Sequence, residues 1–366
     1  MPKKITKIVI TGGPCSGKST ALPKIKKEFE SIGYSVVFVH ELAAELINSG
    51  LSPVTYKSRF NFQANLFKMQ IEKEKIFQKA SEALPNEKIL IICDRGVLDG
   101  KAYLTEEEFS TVINEVNSNE IELRDSYDAV FHLVTSANGT EEFYTTENNK
   151  TRTENIKQAI EIDNKLISAW TGHPHFRIID NSTDFNGKIK RLNAEIASFL
   201  GEPEPLEIER KYLIEYPDIN MLEKNPYCQK VDISQSYIKT KDGNKFRIRR
   251  RGLNGNYIYF KTCKKRISAT TRIEIEERLT KEEYDSILEN PDNSKNTIEK
   301  SRYCLCYNTF YFEIDVYPFW SDKAVMEIEL LNENQEVIFP DFIKIIKEVT
   351  EDKRYSNHSL SISHNI

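Results

Sequence analysis

The segment "KIVITGGPCSGKST", residues 7–20, constrains the fold more than any other stretch of the chain. A short apolar run ends in Gly12-x-x-x-x-Gly17-Lys18-Ser19, and a helical pattern follows at once. Glycines let backbone N–H groups curl around phosphate oxygens, and the helix behind them adds the positive end of its dipole. Lys18 is placed to reach the β- and γ-phosphates of a nucleotide and Ser19 to hold Mg²⁺, with Gly13, Pro14, Cys15, Ser16 and Thr20 completing the loop. The motif needs a strand before it and a helix after it, so a parallel α/β sheet is expected here. Pro23 falls early in that helix and should kink it or limit its first turns.

The next part of the chain keeps this grammar. Strand-sized runs at 7–11, 35–40, 88–94, 128–134 and 176–180 alternate with amphipathic stretches, for example 58–80, where Phe62, Leu66, Met69, Lys73 and Phe77 fall roughly on one face. Asp94 ends the third run, where an acid would meet Mg²⁺ or position a nucleophile, and Arg95 follows it. Glu41 ends the second run in a comparable place, as a substrate-side acid or a helix start. The polar segment 136–155 reads as a loop or lid, whose Lys150 and Arg152 are cations able to close over a transferring phosphate or to sit in water. His173-Pro174-His175 reads as a turn before the last strand.

At "GEPEPLEIERK" the pattern changes to period two. Strands are expected at 206–214, 232–240, 245–251, 256–262, 271–279, 310–317 and 324–331, with helical interruptions near 280–290 and 341–348. Side chains alternate along a strand, so Glu207, Glu209 and Lys211 share a face, as do Arg247, Arg249 and Arg251, Glu274 and Glu276, Glu313 and Asp315, and Glu327 and Glu329. Lys261, Lys300 and Arg302 add cations. These faces either meet water or line a cavity in which carboxylates hold Mg²⁺ or Mn²⁺ and the cations hold polyphosphate oxygens.

A chain of 366 residues is long for a single core, and two domains are expected, 1–203 and 204–366. With 39% hydrophobic and 29% charged residues the composition is globular, and a net charge of −5 gives no reason to expect a nucleic-acid partner. No apolar run reaches the length of a transmembrane segment, and six cysteines without a C-x-x-C pair suit a reduced, cytoplasmic protein.

Residues 5–200 resemble the NadR-like P-loop kinases, through the phosphate loop, "CDRG" and "NKTRTEN". Residues 204–357 resemble the CYTH superfamily of triphosphate tunnel metalloenzymes, through Glu207-x-Glu209-x-Lys211 and, in order, "SQSYI", "RIRRR", "FKT", "RIEIEE", "KSRY", "EIDVY" and "MEIEL". That resemblance implies an eight-stranded antiparallel barrel with its charges inside. It further implies hydrolysis of a phosphoanhydride by metal-positioned water, with an interior carboxylate as base. By the same resemblance Glu207, Glu209, Asp315, Glu327 and Glu329 hold Mg²⁺ or Mn²⁺, and Lys211, Arg247, Arg249, Lys261, Lys300 and Arg302 hold phosphate. The combination of domains resembles the TRPL translocation defect protein family, which implies nucleotide binding, ATP or GTP. Three readings follow: a triphosphatase acting on nucleoside triphosphate or inorganic polyphosphate, a small-molecule kinase, and a nucleotide-switched protein that holds a polyphosphate or a phosphoinositide head group.

Overall fold

The computed structural model of the chain describes residues 4–140, 155–202, 208–239, 245–266, 272–330 and 335–363. Two units emerge, Met1–Ala194 and Glu195–Ile366.

The first holds five parallel strands, β1 (Lys4–Thr11), β2 (Ser35–Val39), β3 (Lys88–Asp94), β4 (Ala129–Leu133) and β5 (Phe176–Ile179), in the order β2-β3-β1-β4-β5. Ile8, Val9, Ile10, Ile89–Cys93 and Val130 are fully buried, as strands covered on both faces must be. The helix Lys18–Ser31 follows the phosphate loop and carries Pro23 without ending there. The long helix runs from Arg59 to Ser81, but its buried face differs from the expected one. Met69 is exposed, whereas Gln70 and Glu74 are buried. Their polar groups are satisfied internally: Glu74 accepts from Gln70, Tyr127 and Lys7. A hydrogen-bonded polar network thus replaces the apolar contact that the pattern suggested.

Among the described residues, the second unit carries one antiparallel sheet of nine strands. They are β6 (Ile208–Glu215), β7 (Cys228–Lys239), β8 (Lys245–Leu253), β9 (Asn256–Arg266), β10 (Arg272–Leu279), β11 (Ile298–Tyr307), β12 (Phe310–Val316), β13 (Lys323–Leu330) and β14 (Ile345–Glu348). Their order is β10-β9-β8-β7-β11-β12-β13-β6-β14. β6 to β13 make up the eight strands that the resemblance implies; β14 is a short addition beside β6. Two local expectations fail. β11 was not anticipated as a strand, because its charged start "IEKSR" hides the alternation; and 341–348 is a turn leading into β14 instead of a helix.

One face of this sheet is apolar. Tyr212, Ile214, Phe312, Ile314, Met326 and Ile328 form a buried cluster with Leu222, Tyr303 and Leu305, each large side chain contributing about 1.5–3 kcal/mol on burial. The charges therefore share the opposite face. At one end of that face Leu213, Val325, Ile298 and Tyr317 pack with Val349, Tyr355 and Leu360, so the C-terminal segment covers it there.

Candidate functional site

Gly12 and Gly17 adopt positive φ, and a Cβ at Gly12 would stand 2.2 Å from the Leu133 carbonyl oxygen, so the tight loop demands glycine there. Lys18 is buried, and its Nζ donates to the Gly12 carbonyl (2.8 Å) and to Ser16 Oγ (3.3 Å). Burial, then the charge of Arg95, lowers the Lys18 ammonium to about 8. Ser19 and Thr20 are exposed at the mouth of the helix.

Asp94 is buried at the end of β3, and its Oδ1 has no hydrogen-bond partner among the described residues. Burial raises its carboxyl above the ordinary range; Lys18 opposes that shift and Glu41 adds to it. An unpaired carboxylate oxygen close enough to feel Lys18 fits a divalent ion or a substrate hydroxyl. Arg95, at φ 72°, turns away to Glu41 (2.7 Å) and Asp99 (3.3 Å). Asp99 is a hub that also accepts from Thr11 Oγ1 (2.8 Å) and Trp170 Nε1 (2.7 Å). Lys150 and Arg152 lie outside the described residues. His173 is buried in a turn before β5, with Nε2 3.0 Å from the Tyr127 carbonyl oxygen.

A further residue holds the loop from behind. Asp163, on the helix Ile156–Trp170, accepts from the Gly13 N–H (2.7 Å) and the Thr135 N–H (3.3 Å), and lies 3.0 Å from His132 Nε2. Burial works to raise its carboxyl, but His132 and these backbone donors outweigh it and hold it below the ordinary range. Asp163→Ala should strand two buried N–H groups at about 1–3 kcal/mol each. Thermal unfolding and nucleotide titration should show a lower Tm and weaker nucleotide binding, with the second unit's activity unchanged.

In the second unit the ladders place the charges in register. Lys211 pairs with Glu327, Glu327 with Glu313, Glu209 with Glu329, and Arg302 with Asp315. Cross-strand partners share a face, so two carboxylates oppose each other twice. Lys211 bonds Glu327 (2.6 Å) and Glu209 (3.3 Å). Arg302 forks onto Asp315 (2.7 and 2.7 Å), reaches Glu327 (3.1 Å) and also contacts Glu313, while Lys300 contacts Asp315. Burial would raise Glu327, but Lys211, Arg302 and Lys300 hold it well below the ordinary range. Glu209 goes the other way: partial burial and the charge of Glu327 raise it to about 7 against Lys211.

The same face continues with Arg247, Arg249 and Arg251 on β8, opposite Tyr237, Gln235 and Ile233. Arg249 bonds Glu276 (2.9 Å), and Arg251 is almost fully buried. Lys261 does not join them. It pairs with Ile248 and Glu277, on the other face, and its Nζ lies over the Phe246 ring. The tight Asn254-Gly255 turn, with both residues at positive φ, fixes that register. Asp315 is buried, and both its oxygens accept from Arg302 or Lys300, so it anchors those cations. Glu207 lies outside the described residues. Among the described residues no three acids or histidines already converge as a metal site. Even so, hard oxygen donors opposed in pairs are the chemistry that a divalent cation relieves.

A phosphate-loop α/β unit joined to an antiparallel sheet with a mixed-charge face is a nucleotide-binding protein with a second, polyanion-directed site. A family model described as an AAA domain matches residues 7–188, and one described as a CYTH domain matches residues 205–359. An inorganic triphosphatase of Nitrosomonas europaea is 30% identical over 161 residues, covering 43% of this chain and 97% of the relative. The chain belongs to the CYTH family through its second unit. A crystal structure of an inorganic triphosphatase is similar at 29% identity, over 43% of this chain and 95% of that one, with a TM-score of 0.31. A solved structure of deoxyadenosine kinase from M. mycoides with bound dATP is 18% identical over 53% of this chain and 100% of that one, with a TM-score of 0.37.

Proposed function

We propose that the second unit hydrolyses triphosphates with a divalent metal, Mg²⁺ or Mn²⁺, and that the first binds a nucleoside triphosphate. The observation that carries this is the doubled opposition of Glu209 to Glu329 and Glu313 to Glu327, beside Lys211 and Arg302, on one face. Glu209, Glu313, Glu327 and Glu329, with Glu207, would hold the ion. When bound, the ion would neutralise phosphate charge and make the terminal phosphorus easier to attack. Lys211, Arg247, Arg249 and Arg251 would bind and align the anionic chain, and Asp315 would keep Arg302 and Lys300 aimed. The functional boundary is proposed at 203/204, after the helix Phe185–Leu200, whose Lys188 still bonds the Val134 carbonyl (2.6 Å).

Phosphoryl transfer by the first unit is the second reading, favoured by the unpaired, buried Asp94 Oδ1 near Lys18. Phosphate release from tripolyphosphate, ATP and GTP, with Mg²⁺ or Mn²⁺, separates the two. Tripolyphosphate cleavage should survive Lys18→Ala and vanish in Glu209→Ala. Cleavage lost only in Lys18→Ala would move the chemistry to the phosphate loop and sink the tunnel reading.

A further inference from the structure

Beside β7 and the start of β11, against the 317–321 turn, lies a groove of about 700 Å³ whose lining, Lys300 apart, neither reading uses. Its floor carries Asp232, opposite Gly252 and Ser301 on neighbouring strands, and its walls include Tyr257, Glu299, Tyr317 and Trp320. Four features of this lining limit what can fill it.

Trp320 is 7% exposed, and its indole N–H has no acceptor among the described residues. A buried donor without a partner asks for an acceptor from outside. Asp232 takes a hydrogen bond from Ser301 Oγ (2.8 Å) and Glu299 one from Ser234 Oγ (2.6 Å), each on a single oxygen. The second oxygen of each carboxylate remains an acceptor for an N–H. Lys300, the one basic residue in the lining, has its Nζ taken by Asp315 and Asn357, and Lys230 lies 3.8 Å from the Asp232 oxygen that Ser301 already uses. The partly exposed Tyr257 ring offers an aromatic surface for stacking, and Arg250 already lies 5.0 Å above it.

We propose that this groove binds the base of a purine nucleoside. A purine is flat, the amino group of adenine or the amino group and N1–H of guanine suit Asp232 and Glu299, and ring nitrogens or the guanine carbonyl accept from an indole N–H. An aliphatic amine satisfies the carboxylates but gives Trp320 nothing to donate to. The groove is thus a base-reading site apart from the phosphate loop, suited to sensing a nucleoside.

Trp170 and Trp320 are the two tryptophans of the chain, so Trp170→Phe leaves Trp320 as its one indole reporter. Adenosine and guanosine, which carry no phosphate, are titrated against this full-length variant by fluorescence and against the wild type by equilibrium dialysis. Saturable quenching is expected. Asp232→Asn and Trp320→Phe should each weaken binding in dialysis by about tenfold or more, the loss of one hydrogen bond to a charged or buried group. Because Trp320 also packs in a core, the partly exposed Asp232 provides the variant least able to disturb folding. Nucleoside affinity unchanged in Asp232→Asn would place the binding elsewhere and overturn the proposal. So would the absence of saturable nucleoside binding, or quenching by spermidine without quenching by either nucleoside, which would make the groove a site for organic cations.

Discussion

Glu327→Gln should abolish most tripolyphosphate cleavage, lowering kcat by about 10²–10³, the cost of removing one preorganised electrostatic group from a site of this kind. Glu327 stands where two requirements meet: it opposes Glu313 across β12 and β13, and it is the shared partner of Lys211 and Arg302. Glutamine keeps its shape and an acceptor oxygen for Lys211 but removes the charge that a metal needs. Glu327→Ala removes the acceptor as well and leaves buried Arg302 with one fewer counter-ion, so it should also destabilise the second unit, by about 3–5 kcal/mol if the pair is fully desolvated. Phosphate-release kinetics read alongside urea unfolding separate the two effects. A Gln variant that unfolds like the wild type yet has lost activity assigns the loss to chemistry. A Gln variant that retains full activity would remove Glu327 from the site.

What could be read in advance was whatever short-range chemistry decides. The phosphate loop was legible because glycine conformational freedom, a lysine and a strand–helix context all fall within fourteen residues. The charged faces were legible because alternation is a local property. Two things were not. Register across a turn moves a residue to the other side of a sheet, and the Asn254-Gly255 turn sent Lys261 opposite Ile248, away from the face that Arg247, Arg249 and Arg251 share. Partners far apart in sequence are invisible to pattern: Asp163 meets Gly13 across 150 positions, and nothing around "EIDNK" marks that aspartate as the loop's anchor. Glu313 was seen as one of a charged pair, but its weight comes from facing Glu327, which only the β12–β13 ladder reveals.

Lys18→Ala should cost the first unit its nucleotide while leaving it folded. Burial has already lowered the Lys18 ammonium to about 8, so at neutral pH the free protein carries a poorly solvated cation whose protein contacts are a carbonyl and a hydroxyl. Removing it relieves that desolvation as it deletes those bonds, and the two changes offset each other in the free state. With phosphate bound they do not offset, because the ammonium then meets the anion that its burial was built for. The loss of a charge-assisted contact of about 1.5–3 kcal/mol weakens nucleotide binding by about 10- to 150-fold. Differential scanning with and without ATP or GTP measures both halves. The free Tm should move little, and the nucleotide-induced rise should disappear. If the free variant unfolds many degrees lower, Lys18 is a structural bolt of the loop. If the induced rise persists, nucleotide is being held outside the phosphate loop, and Asp94 and Ser19 lose their proposed role with it.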